Sequence, residues 1–156
     1  MKKRNLISKL FLYTFFFLSS VNTLIAQSTI PVKNDNVILI IENQTAEENF
    51  VKFGKFLIEQ GFSFATKDKD FLSLTTNERT STGGYKYNLA VSFKDSIISI
   101  RPRCNYLLFG SSLSNLQLEW TDWSYTKSKS SPQGIAFKAF EPILRKYNGQ
   151  LYFKKE

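Results

Sequence analysis

Cys104 is the only thiol in the chain, and the sequence contains no histidine. A thiolate nucleophile needs a base to take its proton, and the usual imidazole partner is missing. A Ser-His-Asp triad is excluded for the same reason. A zinc site would have to be assembled from carboxylates and one Cys, so neither a metal nor a cofactor is expected. Two carboxylate pairs remain. Asp68 and Asp70 sit inside Lys67-Asp68-Lys69-Asp70, between two stretches of alternating apolar and polar residues. Acid/base work by such a pair requires burial to separate the two pKa values. A lysine-flanked hairpin tip is solvated instead, so these acids are read as turn formers. Glu119 and Asp122 lie beside Trp120, Trp123 and Tyr125, the setting of a sugar-processing site. A small hydrolase using Glu119 and Asp122 is the enzymatic alternative.

The preferred reading needs a surface rather than a reaction. Residues 27–100 carry 8 cations and 9 anions, whereas 101–156 carry 9 and 4. In that basic part, Arg101, Arg103, Lys127 and Lys129 accompany Trp123 and Tyr125, which fall out of phase with Leu116, Leu118 and Trp120. Those six residues are the expected binding site for an anionic envelope polymer, a lipid or a protein partner. Basic residues interleaved with aromatics can also stack nucleobases. Export argues against nucleic acid as the partner. A further alternative is a carrier holding an apolar ligand between helix and sheet.

Export is read from the beginning of the sequence. Lys2, Lys3 and Arg4 precede an apolar run from Leu10 to Leu18, and Ala26 closes the segment before Gln27. That pattern predicts a signal peptide over 1–26. A membrane span needs roughly 20 consecutive apolar residues, and Ser19, Ser20, Asn22 and Thr23 interrupt this one. The position where a lipoprotein would carry its acylated Cys holds Gln27, so an exported protein without a lipid anchor is expected, in the periplasm or outside the cell. Removing Lys2, Lys3, Arg4 and Lys9 leaves 17 cations against 13 anions, a net charge of +4. An irregular leader at 27–36 and a single domain at 37–156 complete the expected organisation.

Within that domain, Val37 to Ile41 is an apolar, β-branched run suited to a buried strand. Thr45 followed by Glu48 forms a capping box, after which Ala46, Phe50, Phe53 and Leu57 share one helical face until Gly61. Phe62, Phe64 and Thr66 face one way on the next strand, and Leu72, Leu74 and Thr76 on its hairpin partner. "NERTSTGG" reads as a polar connection and not a phosphate loop, because no GK[ST] follows. "YKYNLAVSFK" alternates cleanly, and "IISIRPR" follows a turn at Lys94-Asp95-Ser96. "LQLEWTDWSY" has apolar residues in both phases, with Leu116, Leu118 and Trp120 taken as inward. Ser131-Pro132 starts a second helix bearing Ala136, Phe140, Ile143 and Tyr147, where Pro142 predicts a kink or a split into two short helices. "QLYFKK" supplies a possible final strand.

The order predicts an α+β domain: an antiparallel sheet of five to six strands with two helices packed on one face. With "GFSFATKDKDFLSLTT" after the capped helix and "EWTDWSY" before the last one, the layout from Val37 to Tyr147 resembles small exported bacterial domains of the helix-grip or TATA-binding-protein-like type, including the BamC lipoprotein domains. The resemblance implies an envelope interaction or scaffolding role without catalytic residues. The chain departs from BamC in lacking the lipidated Cys and in having one domain, so BamC's partners do not carry over.

Overall fold

The strand Lys86–Lys94 (β5) alternates as its sequence does. Tyr87, Leu89, Val91 and Phe93 are buried, while Lys86, Asn88 and Ala90 are half-buried and Ser92 and Lys94 exposed. Its partner Ile97–Asn105 (β6) pairs antiparallel over nine positions, bringing Ile98, Ile100, Pro102 and Cys104 opposite Phe93, Val91, Leu89 and Tyr87. This pair forms the middle of the sheet in a computed structural model that describes residues 28–105, 120–147 and 150–156.

Around it lie Val37–Ile41 (β1), Phe64–Asp68 (β2), Ser73–Thr76 (β3), the two-residue Arg79–Thr80 (β4), Trp120–Asp122 (β7) and Leu151–Lys154 (β8). The order is β2-β3-β5-β6-β1-β8, with β4 pairing β5 and β7 pairing β6, all antiparallel. The expected α+β architecture is therefore present, with six ordered strands and two small ones. The small strand β4 lies inside the segment expected to be a plain polar connection. The final strand, β8, pairs with β1.

Helix α1 (Ala46–Glu59) starts where the capping box requires. Thr45 Oγ1 accepts the Glu48 N–H at 3.3 Å, and Glu48 Oε2 accepts the Thr45 N–H at 3.0 Å. It ends in a Schellman motif: Phe62 N–H donates to Leu57 O at 2.9 Å and Gly61 N–H to Ile58 O at 2.8 Å, with Gly61 at φ +78°. Phe50, Phe53 and Leu57 are buried, and Phe50 and Phe53 meet Phe93 of β5 edge to face.

Helix α2 (Pro132–Lys146) lies on the same face of the sheet. Phe140 packs on Tyr87 and Phe137 on Phe153 of β8. The two-helix alternative at Pro142 is overturned, since α2 runs unbroken through it. Pro142 is exposed, and burial of Phe140 and Leu144 on either side holds the turn that its missing N–H weakens. Ile143, spaced with Ala136 and Phe140 in the sequence, is half-buried and packs against the core, and its neighbour Leu144 takes the fully buried position.

Two strand faces differ from expectation. A register shift between Phe64 and Thr66 leaves Thr66 exposed, so Phe62, Phe64 and Thr66 do not share one face. In β7 the buried phase is the other one. Trp120 is half-buried and pairs in register with Asn105, whereas Trp123, just beyond the strand, is fully buried. Leu116, Leu118, Glu119, the helix stop at Asn148-Gly149 and the signal segment lie outside the described residues.

Candidate functional site

Trp123 belongs to the core. Its ring stacks on Phe137 at 5.3 Å between centroids and meets Phe140 edge to face at 5.4 Å. Its Nε1–H donates to the Gln133 carbonyl at 3.0 Å. The chain leaves β7 at Asp122 and returns the Trp123 side chain under α2, so Trp123, named among the six expected contact residues, presents no surface to a partner. Tyr125 is half-buried and packs on Phe137 at 5.3 Å, with its backbone bonded to Asp35 and Asn34. Lys127 and Lys129 are exposed in the loop that leads into α2. Gly134 lets that loop approach the helix, because a Cβ there would stand 2.1 Å from Ser128 O.

Arg101 and Arg103 stand elsewhere. In β6 they alternate with the buried Ile100, Pro102 and Cys104, which places both on the sheet face opposite the helices. Register assembles that open face row by row. Ser73, Ser92 and Ser99 lie opposite one another across β3, β5 and β6, and the row runs on into the buried Leu39 and the half-buried Tyr152, where the face is covered. The next row holds Thr66, Thr75, Ala90 and Arg101, and the one after it Asn88, Arg103 and Asp122. Facing side chains on neighbouring strands stand about 5 Å apart. Three hydroxyls thus form a short ladder beside a guanidinium. A shallow groove of about 170 Å³ lies over it, lined by Ser73, Leu74, Thr75, Ala90, Val91, Ser92, Ser99 and Arg101.

The electrostatics are modest and adjustable. Arg101 is ion-paired with the Glu156 carboxylate, which also accepts from Lys154 Nζ at 2.9 Å. The Glu156 N–H donates to Asn36 Oδ1 at 2.9 Å. The Lys154 hydrogen bond holds the Glu156 carboxyl below the ordinary carboxylate value; burial works against it and Arg101 adds to it. Arg103 Nε lies 3.7 Å from Asp122 Oδ1. Among the described residues, the hydroxyls of Ser73, Thr75, Ser92 and Ser99 have no hydrogen-bond partner, while Arg101 has one exposed counter-ion. Such a patch can bind an oxyanion: hydroxyls donate to its oxygens and the guanidinium supplies a charged fork.

The other chemical candidates separate in space. Asp68 is a turn former, its Oδ1 accepting from the N–H groups of Asp70 and Phe71 at 2.9 and 3.0 Å. Cys104 is fully buried, and burial pushes its thiol up to about 12, so it is protonated at neutral pH. Asp122 is exposed on the open face beside Arg103, and Trp123 faces the core, so the aromatic cluster expected around Asp122 is divided between two faces. Among the described residues, no group of three or more His, Cys, Asp or Glu side chains is placed to hold a metal ion. No described helix is long and apolar enough to cross a membrane. Sequence reading found Arg101 and Arg103 but missed the three serines. Ser92 and Ser99 sit on the polar phase of their strands, yet only pairing register shows that they meet Ser73. Comparison with protein families, curated proteins and solved structures finds no match to this chain.

Proposed function

We propose that this chain is a non-enzymatic, exported binding module that holds phosphodiester groups of anionic envelope polymers or lipids on the open face of its sheet. The observation that carries the reading is the register-built row Ser73, Ser92, Ser99 beside Arg101, with Arg103 one row further along the same face. Export rests on Lys2, Lys3, Arg4 and the apolar run Leu10 to Leu18. The open face supplies uncommitted hydroxyls and a guanidinium on a rigid sheet, so little order must be gained on binding. Glu156 is the resident counter-ion. An exposed ion pair of this kind contributes about 0–1 kcal/mol, so a ligand phosphate displaces it at small cost. Trp123 has no direct part in this function, and Lys127 and Lys129 contribute through the general positive field.

Co-sedimentation with phosphatidylglycerol vesicles, and in parallel equilibrium binding of a soluble glycerol-phosphate polymer, tests the reading. Binding to at least one should fall as salt rises and drop about tenfold in Arg101→Glu, the loss of roughly 1.4 kcal/mol. Wild-type binding to neither probe, or equal binding by Arg101→Glu, overturns it.

A further inference from the structure

The helical layer carries a second, separate groove. It is about 320 Å³ in volume and is lined by Lys52, Lys55, Phe56 and Glu59 of α1 with Lys146 of α2 and Tyr147 just beyond it. Half-buried Phe56 forms the aromatic wall, and the buried Tyr147 stands behind it with ring centroids 5.0 Å apart, itself backed by Phe53 at 4.9 Å. The three lysines have different commitments. Lys52 Nζ is 3.3 Å from Glu42 Oε2 and 5.3 Å from the centre of the Tyr147 ring, so it is held as part of the structure. Lys55 and Lys146 have no ion-pair partner among the described residues and are exposed. Lys146 also answers the negative end of α2, but Arg145 in the same turn serves that end too.

We infer that this groove is a binding site for a small aromatic monoanion, a carboxylate or sulfonate, whose ring rests on Phe56 while Lys55 and Lys146 hold its charge. The exposed part of Phe56 and two uncommitted ammonium groups meet here at a volume suited to a small molecule. Glu59 on the rim disfavours dianions and leaves room for one charge to be satisfied. The groove shares no residue with the open sheet face, so the two sites are independent.

The probe is 8-anilinonaphthalene-1-sulfonate, titrated by fluorescence into the folded full chain, with its uncharged relative N-phenyl-1-naphthylamine as control. The wild type should bind the sulfonate saturably at one site, and the uncharged probe at least about tenfold more weakly. Lys55→Glu with Lys146→Glu should weaken sulfonate binding about tenfold or more at an unchanged denaturation midpoint. Lys55→Gln with Lys146→Gln serves if the charge reversal perturbs folding. Arg101→Glu should leave sulfonate affinity unchanged. Equal affinity of the lysine variants and wild type, equal affinity for the two probes, or loss of binding in Arg101→Glu would overturn the assignment.

Discussion

Trp123→Ala should be among the most damaging single truncations in the domain. The side chain is fully buried, stacks on Phe137, contacts Phe140 edge to face and donates Nε1–H to Gln133 O. Truncating a buried Trp costs about 3–5 kcal/mol, and the lost hydrogen bond adds about 1 kcal/mol. A sum near 5 kcal/mol is a large part of the roughly 5–15 kcal/mol that holds a domain folded. Urea denaturation followed by circular dichroism measures the loss. Trp123→Phe, which keeps a ring but not the N–H donor, should recover more than half of it. In a Trp120→Phe background, Trp123 is the sole tryptophan, and its emission should be blue-shifted and resistant to iodide. A midpoint change of less than about 1 kcal/mol in Trp123→Ala, or strong iodide quenching, would show that Trp123 faces solvent and that the burial argument is wrong.

Gly134→Ala should destabilise by about 2 kcal/mol or more, because the added Cβ would collide with Ser128 O of a loop tied to the α2 start; an unchanged urea midpoint would contradict this. Thr45→Ala should cost about 1 kcal/mol by removing one half of the capping box, while Asp70→Asn at the hairpin should stay within about 0.5 kcal/mol, both read by the same denaturation assay. Burial raises the Cys104 thiol from 9.0 to about 12, and burial with Glu42 raises Tyr147 from 10.0 to about 12. Both groups are protonated in the folded state where the unfolded chain has begun to ionise. Stability should therefore fall as pH rises from about 9 towards 12, and Cys104→Val should remove the earliest part of that fall. In native protein at pH 8 the thiol should react with 5,5′-dithiobis(2-nitrobenzoate) only as fast as the domain opens.

Where local chemistry settled the structure, the sequence was a sufficient guide. Thr45, Glu48 and Gly61 mark α1 through contacts spanning a few residues, and the single phase of "YKYNLAVSFK" assigns every side chain of β5 to its face. Where two answers satisfied the local pattern, it was not. Trp120 and Trp123 are apolar residues in opposite phases, and only the position of α2 decides that Trp123 is the buried one. The shift at Phe64 and Thr66 depends on pairing with β3, and the small strand at Arg79–Thr80 on pairing with β5. Pro142 predicts a kink or a break from helix propensity alone, and packing of Phe140 and Leu144 on either side keeps α2 a single helix. The candidate site divides the same way. Arg101 and Arg103 stand out by charge, whereas the serine row is a property of strand register and has no counterpart in any one segment.

The central claim is that the open sheet face is the anion-binding surface. Its most direct test is a titration of uniformly 15N-labelled full chain with glycerophosphoglycerol, the soluble phosphodiester headgroup, followed by amide chemical shifts at low and at physiological salt. The account predicts that Ser73, Ser92, Ser99 and Arg101 shift most, saturably and more weakly at the higher salt, and that Arg101→Glu abolishes those shifts. Absence of shifts on the open face, or shifts confined to the loop bearing Lys127 and Lys129, would contradict it.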